Sequence, residues 1–526
     1  MYKEREKLFY GGPVLTMDEA CMRPEAVLVR GERIAAVGPL EALRRAAPGA
    51  EPVDLEGRAL LPGFIDAHSH LVQFANNLQY ASLTGADSLD EIARRLREFV
   101  RKNNIAPGTP VIGTGYDHND LPGRTHPTRQ FLDAALPGYP VVLGHASGHM
   151  GCVSSLVLGQ MGITRQTADP QGGRIGRDEA GEPNGYLEEL AFSEMVAKAM
   201  PAGQKGAREL LRRGQQAYLS HGITTAQDGF MKQAEAQLLA EAARAGELAL
   251  DVVGYCDMKE NAGLPGRLPE FRQRYSGRFK IGGYKIFLDG SPQGRTAWVT
   301  TPYLGGEAGY VGYPIYTDAQ VREFVGAAQA EGMQLLCHCN GDAAAAQFLA
   351  AHTVPSTQRN VMIHAQLLRP DQLPAVKAAG IIPSYFVAHT WYWGDTHIRN
   401  FGLERARNIS PAADTVRLGI PYTFHMDSPV LPPDCMDILY CAVNRRTKGG
   451  VSLAAGQQIS ALEALRGLTV YGAYQYHEEG EKGSLAPGKT ADLVLLSADP
   501  TAVEAEELRS VRVEATYKAG EKVYGA

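Results

Sequence analysis

A (β/α)8 barrel of the TIM type, an α/β fold, is predicted here, interrupted by an inserted subdomain and joined to a small β-sandwich domain formed by both chain termini. Three observations predict it. Through the middle of the chain eight short apolar runs alternate with amphipathic helical stretches, the pattern of a parallel sheet built from βα units. No glycine-rich phosphate turn follows the first of these runs, which argues against an open doubly wound sheet. Both ends of the chain read as short strands and turns without helix-length periodicity, so they are expected to meet in one β-domain.

Taken in order, residues 1–60 contribute strands at 7–17, 26–29, 33–37 and 59–61. Residues 478–526 contribute strands at 492–496 and 511–517, punctuated by Gly483, Gly488 and Gly520. The barrel is assigned to 61–477, with strands at 63–67, 223–227, 250–255, 284–288, 334–337, 361–363, 381–386 and 421–426. Helices fit between them at 207–220, 232–245, 318–331, 343–351 and 370–379. The interval from His70 to Ile223 is too long for one crossover. It is therefore assigned an inserted subdomain at about 72–206, with a helix at 89–102 and a strand at 140–143, expected to overhang the barrel mouth and shape a pocket.

Composition narrows the function. The chain has 526 residues, 44% of them apolar, enough for one large domain and a smaller companion. Its net charge of −6 is spread without a long block of one sign, so neither a nucleic-acid footprint nor a basic membrane patch is expected and the partner is a small molecule. The charged start of the chain lacks the apolar run of an export signal, and no stretch approaches the ~18 apolar residues of a spanning helix. A cytoplasmic location is expected. A homodimer is the default expectation, because two-fold dimers are the commonest soluble oligomers. Seven scattered cysteines without a CxxC pair argue against a disulfide framework. Cys337 and Cys339 flank His338 and, on a strand, share the face opposite to it, where they are read as packing residues rather than ligands.

The chemistry is carried by strand ends. Pro62-Gly63-Phe64-Ile65-Asp66-Ala67-His68-Ser69-His70 is an apolar strand ending in His-x-His, and the spacing of two puts both imidazoles on one side, where they can share a metal. His338 and His364 each close a later apolar strand, on the face where a barrel gathers its catalytic groups. Asp427 follows the eighth strand and is suited both to bind the metal and to take a proton from its water; the plain alternative is an N-cap. Lys285 lies within the fourth strand. A lysine pointing into a barrel loses proton affinity, and the neutral amine can take up carbon dioxide as a carbamate that bridges two metals. A salt-bridged or substrate-binding lysine is the other reading.

At these residues the chain resembles the amidohydrolase superfamily, and more closely its family 3 branch, which contains N-substituted formamide deformylases. The matching motifs run nearly end to end: Leu61-Pro-Gly-Phe-Ile-Asp-Ala-His-Ser-His, Gly144-His-Ala-Ser-Gly-His149, Gly185-Tyr-Leu-Glu-Glu189, Lys285-Ile-Phe-Leu-Asp-Gly-Ser, His338-Cys-Asn-Gly-Asp342, His364-Ala-Gln and Asp427-Ser-Pro-Val. The resemblance implies that His68, His70, His338 and His364 are metal ligands, that Asp427 is ligand and base, and that Lys285 is a bridging carbamate where two metals bind. It also implies pocket segments at 389–395 and 443–447. Ser154 stands where the family usually has Asn.

His145, His149, Glu189, His389 and Trp391 are the expected substrate contacts; Glu189 is also a candidate carboxylate ligand from the insertion, with a helix-surface Glu beside Glu188 as the plain alternative. His145 and His149, with Asp117 and His118, serve equally well to hold the inserted subdomain together, and Trp391 with Trp393 suggests an aromatic wall. Zinc, one or two ions, is the expected cofactor. The expected reaction is hydrolysis of a carbon–nitrogen bond in a small amide, N-formyl or N-acyl compound by metal-activated water, with His389 or Tyr284 assisting at the carbonyl. An esterase or lactonase would use the same machinery. A deaminase of the superfamily would show His-x-x-Glu where this chain has His338-Cys339-Asn340-Gly341. A non-enzymatic scaffold would have lost the ligands.

Overall fold

Gly63 marks the place where one extended run of chain changes sheets. In the computed structural model, which describes residues 5–146, 150–170, 173–189, 191–192, 206–454 and 456–525, Ala59–Pro62 pairs antiparallel with Leu493–Leu496. Two residues later Phe64–Ile65 pairs parallel with Ile223–Met231. A Cβ on Gly63 would lie 2.5 Å from the Thr224 side chain, so the crossing has room only for glycine.

Eight parallel strands follow in sequential order: β1 Phe64–Ile65, β2 Ile223–Met231, β3 Asp251–Asp257, β4 Phe279–Phe287, β5 Gln334–Cys339, β6 Val361–His364, β7 Ile382–Tyr385 and β8 Thr423–Phe424. They read as continuous apolar runs because both faces are covered; every residue of β3 is buried. The sheet curls in the manner of a TIM-like barrel, and just past its two edge strands the His70 N–H donates to the Ser428 carbonyl at 2.8 Å. All eight expected strands are present. β4 starts earlier than expected, at Phe279, because Gly282 and Gly283 are not a break: a Cβ on Gly283 would lie 1.9 Å from the Gln334 carbonyl, so the glycine lets β5 approach. β1 and β8 are shorter than expected, their remaining residues turning away to present side chains. The helix Asp318–Ala330 begins where its capping box predicts, with Thr317 accepting from the Gln320 N–H.

At the opposite end of the strands from the histidines lies a buried chain of alternating charges: Lys280, Glu478, Lys482, Asp251, Lys518 and Asp492. Lys280 pairs with Glu478, Glu478 with Lys482 at 3.0 Å, Lys482 with Asp251, Asp251 with Lys518 at 2.6 Å and Lys518 with Asp492 at 2.7 Å. It ties β3 and β4 to the C-terminal strands.

The terminal segments form two four-stranded sheets. One orders Arg33–Gly38, Ala26–Arg30, Glu6–Tyr10 and Glu51–Asp54; the other orders Glu521–Tyr524, Val513–Lys518, Leu493–Leu496 and Ala59–Pro62. Phe9, Val27, Leu60, Leu493 and Tyr517 belong to one buried cluster drawn from both. The expectation of no helix here is corrected by Leu40–Ala46, whose Leu43 packs against Leu8 and Leu28. Two turns are too short for a helical period to show in sequence.

Contacts divide the chain into two compact units. The first holds Met1–Val72 and Gly214–Ala526, so both terminal sheets share a unit with the parallel sheet. The second is the insertion, Gln73–Arg213, against the expected 72–206. It has its own six-stranded sheet, ordered Gly173–Arg177, Pro183–Glu189, Met150–Val153, Val141–His145, Val111–Tyr116 and Ala81–Ser82, and its own cores around Leu96 and Leu143 and around Val157 and Leu187. The expected helix is present at Leu89–Lys102, capped by Ser88. Ser154 is buried there and its Oγ accepts from the Val141 N–H at 2.9 Å. No helix among the described residues is long and apolar enough to cross a membrane.

Candidate metal centre

Six side chains from five strands converge beyond the C-terminal ends of the sheet. His68 and His70 follow β1, Lys285 lies in β4, His338 in β5, His364 ends β6, and Asp427 follows β8. Asp427 Oδ1 stands 3.4 Å from His68 Nε2 and 3.4 Å from His70 Nε2. Lys285 Nζ is 3.1 Å from His68 Nε2. His338 Nδ1 is 3.0 Å from His364 Nε2, which is 3.9 Å from Asp427 Oδ2. His364 and Asp427 both have left-handed backbones, φ +70° and +53°, a conformation non-glycine residues adopt at a cost of about 1–3 kcal/mol and keep mainly at functional sites.

The hydrogen bonds around the rings fix which nitrogen faces inward. His68 Nδ1–H donates to Gln227 Oε1 at 2.6 Å, and the Gln227 amide is itself oriented by donating to the Ala67 carbonyl and the Tyr476 hydroxyl. That leaves the Nε2 lone pair pointing to the centre. His338 Nε2–H donates to the Gly290 carbonyl at 3.2 Å, leaving Nδ1. His364 Nδ1–H donates to His425 Nε2 at 3.1 Å, while His425 Nδ1–H donates to Ser384 Oγ at 2.8 Å, leaving His364 Nε2. With the protons so placed, the inward lone pairs of His338 and His364 face each other at 3.0 Å. Asp427 Oδ1 is buried without a hydrogen-bond partner. Lone pairs and a carboxylate oxygen crowded together in a dry site fit a cation, and the grouping of His68, His70 and Asp427 has the donor set and spacing to hold one.

Burial sets the protonation states. It pushes His338 down to about 4 and His68 and His364 well below the imidazole range, with the Lys285 charge adding to the effect at each. All three are neutral at pH 7, as metal ligation requires. Burial brings Lys285 down to about 7 against the opposing pull of Asp427, so an appreciable fraction is free amine. For Asp427 burial acts upward but is outweighed by His70, His425 and Lys285, which hold it below the usual carboxylate value. Burial keeps the Cys337 and Cys339 thiols protonated, in keeping with packing.

A model of the amidohydrolase family matches residues 51–524. The chain belongs to the amidohydrolase family. As an amidohydrolase it is a metal-dependent hydrolase acting on small molecules. It is similar to the N-substituted formamide deformylase of Arthrobacter pascens, 29% identical over 99% of this chain and 98% of the relative. It is also similar to the amidohydrolase YtcJ of Bacillus subtilis, 27% identical over 98% of this chain and 99% of the relative. Among solved structures, an uncharacterized metal-dependent hydrolase from Pyrococcus furiosus has a similar fold, with TM-score 0.74, 24% identity, and coverage of 94% of this chain and 100% of that one.

The remaining expected site residues of this amidohydrolase are distributed differently. His389 is buried, its Nδ1 3.0 Å from His397 Nε2 and its ring centroid 4.7 Å from Phe386, which packs 5.3 Å from His425. The indole beside His389 is Trp393, at 4.5 Å. Trp391 instead lies under the Arg509 guanidinium at 4.2 Å and against Tyr440 at 5.6 Å. Tyr284 is corrected outright: strand alternation sends it away from Lys285, and its hydroxyl donates to Glu331 Oε2 at 2.8 Å. His145 lies in the inserted unit with Asp117 and His118, Glu189 is exposed at the end of a strand of that unit, and His149 lies outside the described residues.

Sequence reasoning missed His425, Gln227 and Asp289. His425 sits two residues before Asp427, the same-side spacing that singled out His68 and His70, so the signal was present. Asp289 is buried and accepts backbone N–H groups from Trp298, Asn340 and Gly341, which pins that loop, and its Oδ1 is 3.8 Å from His338 Nε2. Because His425 orients His364, His425→Leu is expected to weaken metal binding about 10–100-fold, as loss of an outer hydrogen-bond partner does elsewhere. Competition titration with a chromogenic chelator measures it; unchanged affinity would remove His425 from the centre.

Proposed function

We propose that this amidohydrolase cleaves a carbon–nitrogen bond of a small N-formyl or N-acyl amide, and that His68, His70, His338, His364 and Asp427, with Lys285 as a carbamate where two ions bind, would hold one or two zinc ions. The observation that carries the reading is the convergence of the inward lone pairs with an unpartnered Asp427 oxygen beside an uncharged-capable lysine. Imidazole and carboxylate donors suit zinc. Bound there, the ion supplies Lewis acidity and hydroxide near neutral pH. Asp427 accepts the proton of the attacking water at its carboxylate and returns it to the departing nitrogen, which leaves as an amine. His389, with its Nδ1 accepting from His397, presents Nε2–H to the substrate carbonyl, and Trp393 walls that side. The printed name of the Arthrobacter pascens relative supports an N-substituted formamide as the first substrate to try. The (β/α)8 barrel is assigned to 61–477, and 1–60 with 478–526 are read as a β-sandwich because one buried cluster draws on both.

Assay against N-formyl amines, N-acyl amides and matched esters tests the reaction. Amide turnover exceeding ester turnover supports it, and ester or lactone turnover alone would replace it with the esterase reading. Removal of metal by a chelator is expected to abolish activity and zinc to restore it. Lys285→Ala is expected to lose one metal equivalent and the carbamate carbon signal seen by NMR after growth or incubation with 13C-bicarbonate; a full metal count in that variant would leave Lys285 a substrate-binding lysine.

A further inference from the structure

The inserted unit carries a second cluster of metal-ligating side chains that the proposed reaction does not use. Asp117 and His118 lie just past the strand Val111–Tyr116, and His145 ends the neighbouring strand Val141–His145, paired in parallel register so that Tyr116 is opposite His145. Strand pairing, not chance proximity of loops, therefore brings them together. His118 Nδ1 is 3.1 Å from His145 Nε2, and Asp117 Oδ1 is 3.4 Å from the same His145 nitrogen and 3.7 Å from His118 Nδ1. Around a tetrahedral zinc with bonds of 2.0–2.1 Å, neighbouring donors stand about 3.3–3.4 Å apart. The three measured edges bracket that value, and the His–His spacing matches the 3.0 Å between His338 and His364 at the centre in the barrel.

The surroundings suit a ligand triad. Asp117 Oδ1 also accepts from the Asn119 backbone and side-chain N–H groups at 2.8 and 2.9 Å, which orients the carboxylate and keeps it ionised. Burial lowers His118, leaving it neutral at pH 7. His126 stacks on the His118 ring with centroids 4.2 Å apart and is anchored by its Nδ1 2.9 Å from the Tyr116 hydroxyl, so the His118 ring is held in plane. The side chains of Asp117 and His118 are 20% and 26% exposed, enough for an ion to enter and for a fourth ligand from solvent.

We propose that Asp117, His118 and His145 form a second divalent-metal site, a two-histidine, one-carboxylate zinc site whose three ligands all belong to the inserted unit. It clips the ends of two adjacent strands and leaves one coordination position for water or an external anion. The alternative is a purely hydrogen-bonded Asp–His–His cluster with no ion.

The test is a metal count on the full chain. Chelator-stripped protein is titrated with Co(II), read by its visible absorption, and with zinc, read by elemental analysis after dialysis. A His68→Ala/His70→Ala variant, impaired at the barrel centre, is expected to retain a tetrahedral Co(II) band that disappears when Asp117→Asn or His118→Gln is added. In the otherwise wild-type chain, Asp117→Asn and His118→Gln are each expected to lower bound metal by one equivalent. Equal counts in wild type and both single variants would overturn the site and leave the hydrogen-bonded cluster, whatever the barrel centre holds.

Discussion

Asp427→Asn is expected to lower kcat by about 10²–10⁴-fold, the range for loss of a general acid–base, and toward the upper end because the same oxygen faces two ligand imidazoles at 3.4 Å. The amide keeps the shape and the contacts but can neither carry the negative charge that draws a cation nor accept a proton from water. Metal affinity is expected to fall with it, so the comparison is made at saturating zinc, where a remaining deficit in kcat reports proton transfer rather than an empty site. The wild-type profile of kcat/KM against pH is expected to fall on the acid side as Asp427 takes up a proton, and that limb is expected to vanish in the variant. A loss under tenfold at saturating zinc would move the proton-accepting role to another group.

Asp251→Asn is expected to cost about 3–5 kcal/mol of stability, the range for removing one partner of a buried ion pair. Asp251 accepts from both Lys482 and Lys518, each almost wholly buried. Neutralising it cuts the six-member charge chain in the middle and leaves more cations than anions in a dry site. The wild type should also be acid-sensitive in a defined way. Burial acts to raise Asp251 and Glu478, but their lysines outweigh it and hold both below the ordinary carboxylate value. Groups with a depressed folded-state pKa contribute stability that is complete above their unfolded value, near pH 4, and drains away as pH falls through the folded value. Stability is therefore expected to decline below about pH 4, and the decline to be shallower in Asp251→Asn. Chemical denaturation midpoints at pH 7, 5 and 3 measure both effects. A variant with the wild-type midpoint at pH 7 would show that the charge chain contributes specificity rather than stability.

Much of this was legible in sequence because parallel strands buried on both faces announce themselves as apolar runs, and because ligands at their C-terminal ends follow immediately after. The eight strands and the six side chains that converge past their C-terminal ends could be read that way. What could not be read depends on contacts between distant segments. Nothing local marks Gln227 as the partner that orients His68, or Asp289 as the acceptor of three backbone N–H groups. Lys280, Glu478 and Asp492 look like ordinary surface charges until the fold buries them together. Strand alternation puts Tyr284 on the face opposite Lys285, where its hydroxyl meets Glu331 and not the site. The short helix at Leu40–Ala46 was missed because two turns carry too little periodicity to register.

The crossing at Gly63 bears on how the protein is made. The strand that leads into His68 and His70 is held on one side by Leu493–Leu496, and the ligand set itself extends to Asp427. On a ribosome, the first histidines to emerge gain their parallel partner strand once Ile223–Met231 has been made, but Asp427 follows His70 only after more than three hundred and fifty further residues. Completion of the proposed metal centre is therefore a late event in synthesis, set by the place of Asp427 in the chain.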